Sequence, residues 1–430
     1  MRNIFLHSLC LILLISYGCA TRGLQNNQAG LKYLNKSQFK EAEIEFKKAV
    51  DANPSDANFQ NNLGVAFHEQ GNFDEAVIQY NKAVKLDDNN HWAYCNLGKI
   101  HHIKGDLNNS FEELKKALNI SPQTNCPQTE LISTSHDIGT IDKAIEDLEQ
   151  IIKESKPNNV DGINKFFLSN QAIIHGYILQ GKYDEAIKRS SENIDILSKV
   201  KTESGGYVIP IITPFFISVT TVPKTQINID PIYDSFYNYR GIAYFRKGDF
   251  QSALSDFKKA IEKAPNSFGN FNLGRYYLEE DNKMEAIFYL RKFIEDRPVH
   301  SLGRFNYSVA LKRIGDSLKA DEEFQKAMEL SKNKVNTTLK SKYEWLEGLG
   351  FAQQTLGQHD AAISTYEKVI AFSPNSGWAY RKLAEIYLIK NNKEKALSLL
   401  RRAVDLMPQD LRTIKLIESL QTTTANQSLQ

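Results

Sequence analysis

The chain has almost no cysteine, no excess of charge of either sign, no apolar run long enough to cross a bilayer and none of the short motifs that mark catalytic centres. Of 430 residues only four are cysteine, and Cys10 falls in a leader segment. Cys95 and Cys126 are too few for a disulfide framework, and the sequence leaves open whether they pair. Lys plus Arg total 53 against 51 Asp plus Glu, so there is no field to draw in nucleic acid or to hold the chain on an anionic membrane by charge. The longest apolar stretch, Ile4 to Ile15, is shorter than the ~20 residues a membrane span requires. There is no Gly-rich phosphate loop, no GxSxG elbow and no CxxC, HxxxH or HExxH spacing. Alternating strands and helices of a catalytic core are also missing. No cofactor or metal is expected, and the chain is not expected to be an enzyme.

What is present is a repeated pair of amphipathic helices. Asn62-Leu63-Gly64-Val65-Ala66-Phe67 precedes the turn Gln70-Gly71-Asn72, and Phe73 to Ala83 follows it with apolar residues every three or four positions. One such hairpin cannot cover its own apolar face, so it must stack on neighbours. Small residues at Gly64, Ala76 and Ala83 alternate with large ones at Leu63, Phe67 and Tyr80, which lets two helix backbones approach closely. The pattern returns with a period of 34 residues. It carries Gly30, Ala42 and Phe46; Gly98, Leu114 and Ala117; Gly241, Phe257 and Ala260; Gly274, Ala286 and Leu290; Ala320 and Phe324; Gly350, Ala362 and Tyr366; Ala384, Ala396 and Leu400. A Pro such as Pro54, Pro122, Pro265, Pro298, Pro374 or Pro408 ends many second helices, because it cannot continue the hydrogen-bond ladder.

These residues resemble the tetratricopeptide repeat family. The resemblance implies an all-α, right-handed α-solenoid of about nine to ten repeats. They fall in an N-terminal block over 20–200 and a C-terminal block over 234–420 that ends in a cap helix, with a tail at 421–430 expected to be disordered. A degenerate repeat at 125–158 holds Pro127 and Ser133-Thr134-Ser135 in a weak first helix. In the repeat that follows, Ser190 and Asn193 depart from the pattern and predict poor packing on what comes next. Between the blocks, 201–233 is Pro-rich and β-branched, which favours extended chain. This insertion is expected to plug a break between the blocks, to fold into the groove or to offer an edge strand to a partner.

Residues 1–19 read as a secretory signal, with Arg2 before the apolar run. Their end resembles a bacterial lipobox, with Gly18 before Cys19, although Ser16 stands where Leu is usual. In that family the cysteine is acylated, and its lipid, palmitate among the chains, anchors the protein. Ala20 after Cys19 is compatible with outer-membrane sorting. Ordinary cleavage after Ala20 would instead give a soluble secreted or periplasmic product.

In the repeat family, positions 2, 5, 9, 12 and 13 line the concave groove. Transferred here, they place Asn58, Asn61, Val65, His68, Trp92, Cys95, Lys99 and His102 in one set. Phe268, Phe271, Arg275, Leu278, Leu302, Phe305, Val309, Lys312 and Arg313 form the other. Aromatics and Arg make binding hot spots. Phe268, Phe271, Arg275, Phe305, Lys312 and Arg313 are therefore the stronger partner-binding candidates, beside Asn58, Asn61, Trp92 and Lys99; packing of Phe271 and Phe305 on a neighbouring repeat is the alternative. The carboxylate clamp of chaperone-binding members is not expected, since Asn27, Leu31 and Cys95 replace required residues around Asn61 and Lys99. The expected function is a non-enzymatic scaffold with protein partners, similar in architecture to outer-membrane lipoproteins that help assemble envelope complexes. A groove-located ligand, metal or enzyme site using His68, Trp92 and His102 is the rival reading.

Overall fold

The computed structural model describes residues 21–36, 38–155, 159–203, 206–212, 217–222, 229–331 and 343–427. The expected signal and Cys19 lie outside these, as do residues 332–342 and 428–430. The chain divides into two compact units, one ending at Thr134 and the other beginning at Ser135.

In the first unit, α1 (21–35) pairs with α2 (Phe39–Ala52), α3 (Ala57–Glu69) with α4 (Phe73–Leu86) and α5 (His91–Lys104) with α6 (Leu107–Ile120); α7 (Asn125–Ile138) crosses the division. Polar residues cap the helix starts, as Asp56 does by accepting from the N–H groups of Asn58 and Phe59. Gly71 turns the chain at φ 80°, a left-handed conformation that suits a residue without Cβ. The core runs through Phe46, Leu63, Phe67, Tyr80, Leu97 and Ile100. Its repeat spacing has a steric origin: a Cβ on Gly64 would stand 2.6 Å from Tyr80, and Gly30 with Phe46 or Gly98 with Leu114 repeat the geometry. Gly64→Leu is expected to cost about 1–3 kcal/mol through overpacking, read as a lower urea midpoint; no change would mean that α3 and α4 do not need this close approach.

The weak first helix expected at 125–138 is a full helix. Pro127 lies in its first turn, where no intrahelical N–H is needed. Thr134 is buried and its hydroxyl meets Ser110 Oγ at 3.1 Å.

The second unit continues with α8 (Ile141–Glu154), α9 (Val160–Leu179) and α10 (Tyr183–Ser198). Three strands follow: β1 (Lys201–Glu203), β2 (Gly206–Ile212) and β3 (Ile217–Val222). They form an antiparallel meander in the order β1-β2-β3. Pro210 sits in the middle strand opposite Val219, but β1 reaches only from Gly206 to Val208. At Pro210 the strand therefore has a neighbour on one side, where a missing N–H is tolerated.

The repeats then resume with α11 (Asp230–Lys247), α12 (Phe250–Lys263), α13 (Gly269–Glu279), α14 (Lys283–Asp296), α15 (Ser301–Arg313) and α16 (Ser317–Leu330). The unit closes with α17 (Tyr343–Thr355), α18 (His359–Phe372), α19 (Gly377–Ile389), α20 (Lys393–Leu406) and α21 (Leu411–Gln427). Several expectations change here. The insertion fills no break in the stack: α10 and α11 pack directly, Phe167 and Phe236 meet at 5.9 Å and Arg240 donates to Ser191 at 3.0 Å. Nor do Ser190 and Asn193 spoil that packing, since both are buried and Asn193 donates to the Arg189 carbonyl. Helix α11 also starts at Asp230, inside the expected insertion, with Pro231 in the first turn. The cap helix covers Ala384, Ala396 and Leu400 with Leu416, Ile417 and Leu420, as the exposed end of a stack requires. It runs on to Gln427, so 421–427 is helical where disorder was expected.

Candidate partner-binding site

The first helices of successive repeats are tied together by asparagine side chains. Asn62 donates to Asn27 at 2.9 Å, Asn96 to Asn61 at 3.0 Å and Asn272 to Asn238 at 2.9 Å. Asn61, a partner-binding candidate, is thus buried and engaged in this ladder. Of the others in the first unit, Asn58 is exposed and Trp92 is 47% exposed, its ring tilted against His91 at 4.8 Å. Lys99 faces Glu130 at 3.9 Å. Cys95 is fully buried and bonded to Cys126, with Cα atoms 6.4 Å apart, so the pairing left open by the sequence is made and Cys95 is no groove thiolate. His102 is buried whereas Trp92 is exposed. Among the described residues no His, Cys, Asp or Glu cluster is arranged to hold a metal.

In the second unit much of the expected groove is filled by the protein itself. Arg246 donates to both oxygens of Glu347 at 2.6 and 2.7 Å across 101 residues of sequence. Arg275 stands 3.6 Å from Glu347, and Ser376 donates to it at 2.8 Å. A second cluster surrounds Glu279, which accepts from Trp378 at 2.9 Å and Arg381 at 2.7 Å; Lys382 and Arg412 lie at 3.4 and 3.6 Å. Burial alone would raise the Glu279 carboxyl, but the charges of Arg381, Lys382 and Arg412 outweigh it and hold the group well below the usual carboxylate range. Arg381 also reaches Asp410 at 3.0 Å. Helices about three repeats apart therefore meet through paired charges.

This closure accounts for several groove candidates. Phe305 is fully buried against Phe324 and Trp345 at 5.5 and 5.8 Å, and belongs to the core. Phe271 is also buried, beside Phe293 and His300. Arg313 donates to the Leu278 carbonyl and stands over Phe351, and Lys312 donates to Ser317 at 3.1 Å. Leu278 and Val309 are buried. The concave positions are occupied because the inner helices face one another rather than solvent.

A cavity of about 320 Å³ remains where the inner faces of α11, α13 and the start of α15 meet. Asp234, Asn238 and Ile242 line it from α11, one helical turn apart. Phe268, just before α13, lines it with Phe271 and Arg275 of that helix, and His300 and Leu302 do so at the start of α15. Four residues of the groove set expected from sequence, Phe268, Phe271, Arg275 and Leu302, thus converge here. Phe268 is 46% exposed, with Arg297 stacked 4.9 Å from its ring. His300 caps α15 by accepting the Gly303 N–H at Nδ1. Asp234, Asn238, Tyr239 and His300 were not singled out from sequence, although Asn238 occupies groove position 5 of its own repeat.

Asp234 is the unusual group. Asn238 donates to it at 2.6 Å, yet loss of solvation pushes its carboxyl up to about 6, against the pull of Ser267, Asn238 and Arg297. A raised acid holds its proton more tightly in the folded state. The stability linked to Asp234 is therefore fullest below about pH 4 and declines as pH rises toward about 6. Asp234→Asn, which keeps an acceptor and loses the charge, is expected to stabilise the protein at pH 7.5 by about 1–2 kcal/mol after solvent screening, and to do nothing at pH 4. Melting curves at both pH values check this; equal effects would show that the charge carries no burial cost.

Regions described as "TPR repeat" match residues 66–105, and "Tetratricopeptide repeat" matches residues 45–78, 93–124, 235–267 and 355–418. No curated protein matches the chain in sequence. Among solved structures, the APC/C hetero-tetramer Cut9-Hcn1 is similar over 93% of this chain and 76% of its own, at 16% identity and a TM-score of 0.47. Yeast Tom70 is similar over 94% and 96%, at 15% identity and a TM-score of 0.35. The first TPR of Spaghetti (RPAP3), bound to the HSP90 peptide SRMEEVD, is similar over 28% of this chain and 95% of its own, at 22% identity and a TM-score of 0.27. The repeat matches at residues 45–124, 235–267 and 355–418 and the stacked helical hairpins show that the chain carries tetratricopeptide repeats.

Proposed function

We propose that the chain is a non-enzymatic scaffold of the bacterial envelope, carried on a membrane by lipid at Cys19, that captures a protein segment in the cavity between α11, α13 and α15. The observation that carries the binding reading is the cavity itself, which an exposed aromatic at Phe268 and a desolvated carboxyl at Asp234 both line. Such groups are arranged for recognition. The buried carboxylates Glu279 and Glu347 are each committed to cations of the same chain, which supports binding over acid–base chemistry.

Two observations support an exported protein: the lipobox-like residues Gly18 and Cys19, and the Cys95–Cys126 disulfide, a bond that persists outside the reducing cytosol. A photo-crosslinking residue at Ser235, which lines the cavity, is expected to give a discrete protein adduct in producing cells, and its absence would remove the cavity as a docking site. Cys19→Ala is expected to abolish labelling by an alkynyl palmitate and release the protein from membranes. Membrane retention without label would overturn the anchor.

A further inference from the structure

We propose that the captured segment is anchored by a cationic side chain, lysine or arginine, that enters the cavity beside Phe268 and pairs with Asp234. This deepens the partner-binding reading and rests on it. The described hydrogen-bond partners of Asp234, Asn238 and Ser267, are both neutral. Arg297 attracts it only weakly enough that burial still dominates. The carboxylate thus carries a desolvation cost that an incoming cation would offset.

The rest of the wall suits the same charge. Aromatic faces attract cations, and the protein already uses these: Arg297 stacks on Phe268 at 4.9 Å and on Phe293 at 5.1 Å, and Arg275 on Phe271 at 5.7 Å. Phe268 nevertheless keeps 46% of its surface exposed. Arg275, which also lines the cavity, does not compete for the same place. It lies seven residues beyond Phe268, about 10 Å along α13, and its charge faces Glu347 at 3.6 Å.

The register of the helices places Asp234 near Phe268. Asn272 bonds Asn238, so one turn back on each helix Asp234 and Phe268 are level. An acidic or carboxylate-terminated segment would meet Asp234 at this point and be repelled. At about 320 Å³ the cavity is at the small end for a ligand site and takes one long side chain with its adjoining backbone.

The test starts from the Ser235 photo-crosslink. The captured segment is sequenced, and its synthetic peptide is titrated against the full chain. The segment is expected to contain Lys or Arg beside the attachment point. Replacing that residue by Gln in the peptide, or making Asp234→Asn in the protein, is expected to weaken binding at least about tenfold, and the two changes together no further. A segment without a cation, or a peptide whose affinity ignores the Lys or Arg to Gln change, would overturn the proposal while leaving the docking site intact. No adduct from the wild-type background would instead reject the docking site and the proposal with it. The peptide substitution keeps the test sound should Asp234→Asn disturb folding.

Discussion

Glu347→Ala is expected to destabilise the second unit by about 3–5 kcal/mol. Glu347 is fully buried and takes both of its close ionic contacts from Arg246, with Arg275 and Ser376 completing the set. Removing it leaves the Arg246 guanidinium, itself buried, without its counter-charge. The penalty is that of an orphaned charge, so it should shrink when both partners go. The pair Arg246→Met with Glu347→Leu is expected to recover most of the loss, since apolar side chains of similar size avoid desolvation altogether. Urea unfolding followed by circular dichroism measures both. A loss below about 1 kcal/mol for the single change would mean that water reaches Arg246 and that the inner helices do not close on one another.

Phe305→Ala is the second large effect, expected at about 3–5 kcal/mol for deleting a buried aromatic ring. It tests a point where sequence and structure part. By repeat position Phe305 belongs to the binding groove, but its ring is enclosed by Phe324 and Trp345. The expected result is a lower unfolding midpoint and, at temperatures where the variant stays folded, unchanged yield of the Ser235 crosslink. Unchanged stability with lost crosslinking would return Phe305 to the binding surface.

The helices themselves were legible because their determinants are local. Gly64 and Tyr80, or Gly274 and Leu290, meet within one hairpin, and capping residues such as Asp56 act on the next turn. Departures from the pattern mislead where polarity reads as weakness. Ser190 and Asn193 are both buried: the Asn193 amide bonds the preceding turn of its own helix, and Ser190 is small enough to pack there. Pro127 is harmless in a first turn. The candidate site was half legible: Phe268, Phe271 and Arg275 do line the cavity, whereas Asp234 stands at the first position of its repeat, outside the groove set.

The sequence by itself determined the repeat, because each helix pair is specified by small and large residues close together in the chain. It could not determine which inner residues remain open. Glu279 and Glu347 look like ordinary polar groove residues until Arg381 and Arg246, 102 and 101 positions away, arrive beside them. That meeting depends on small displacements between successive repeats that accumulate along the stack. Only the tertiary structure decides it, closing much of the second unit's inner face by charge pairing and leaving a cavity open at Asp234 and Phe268.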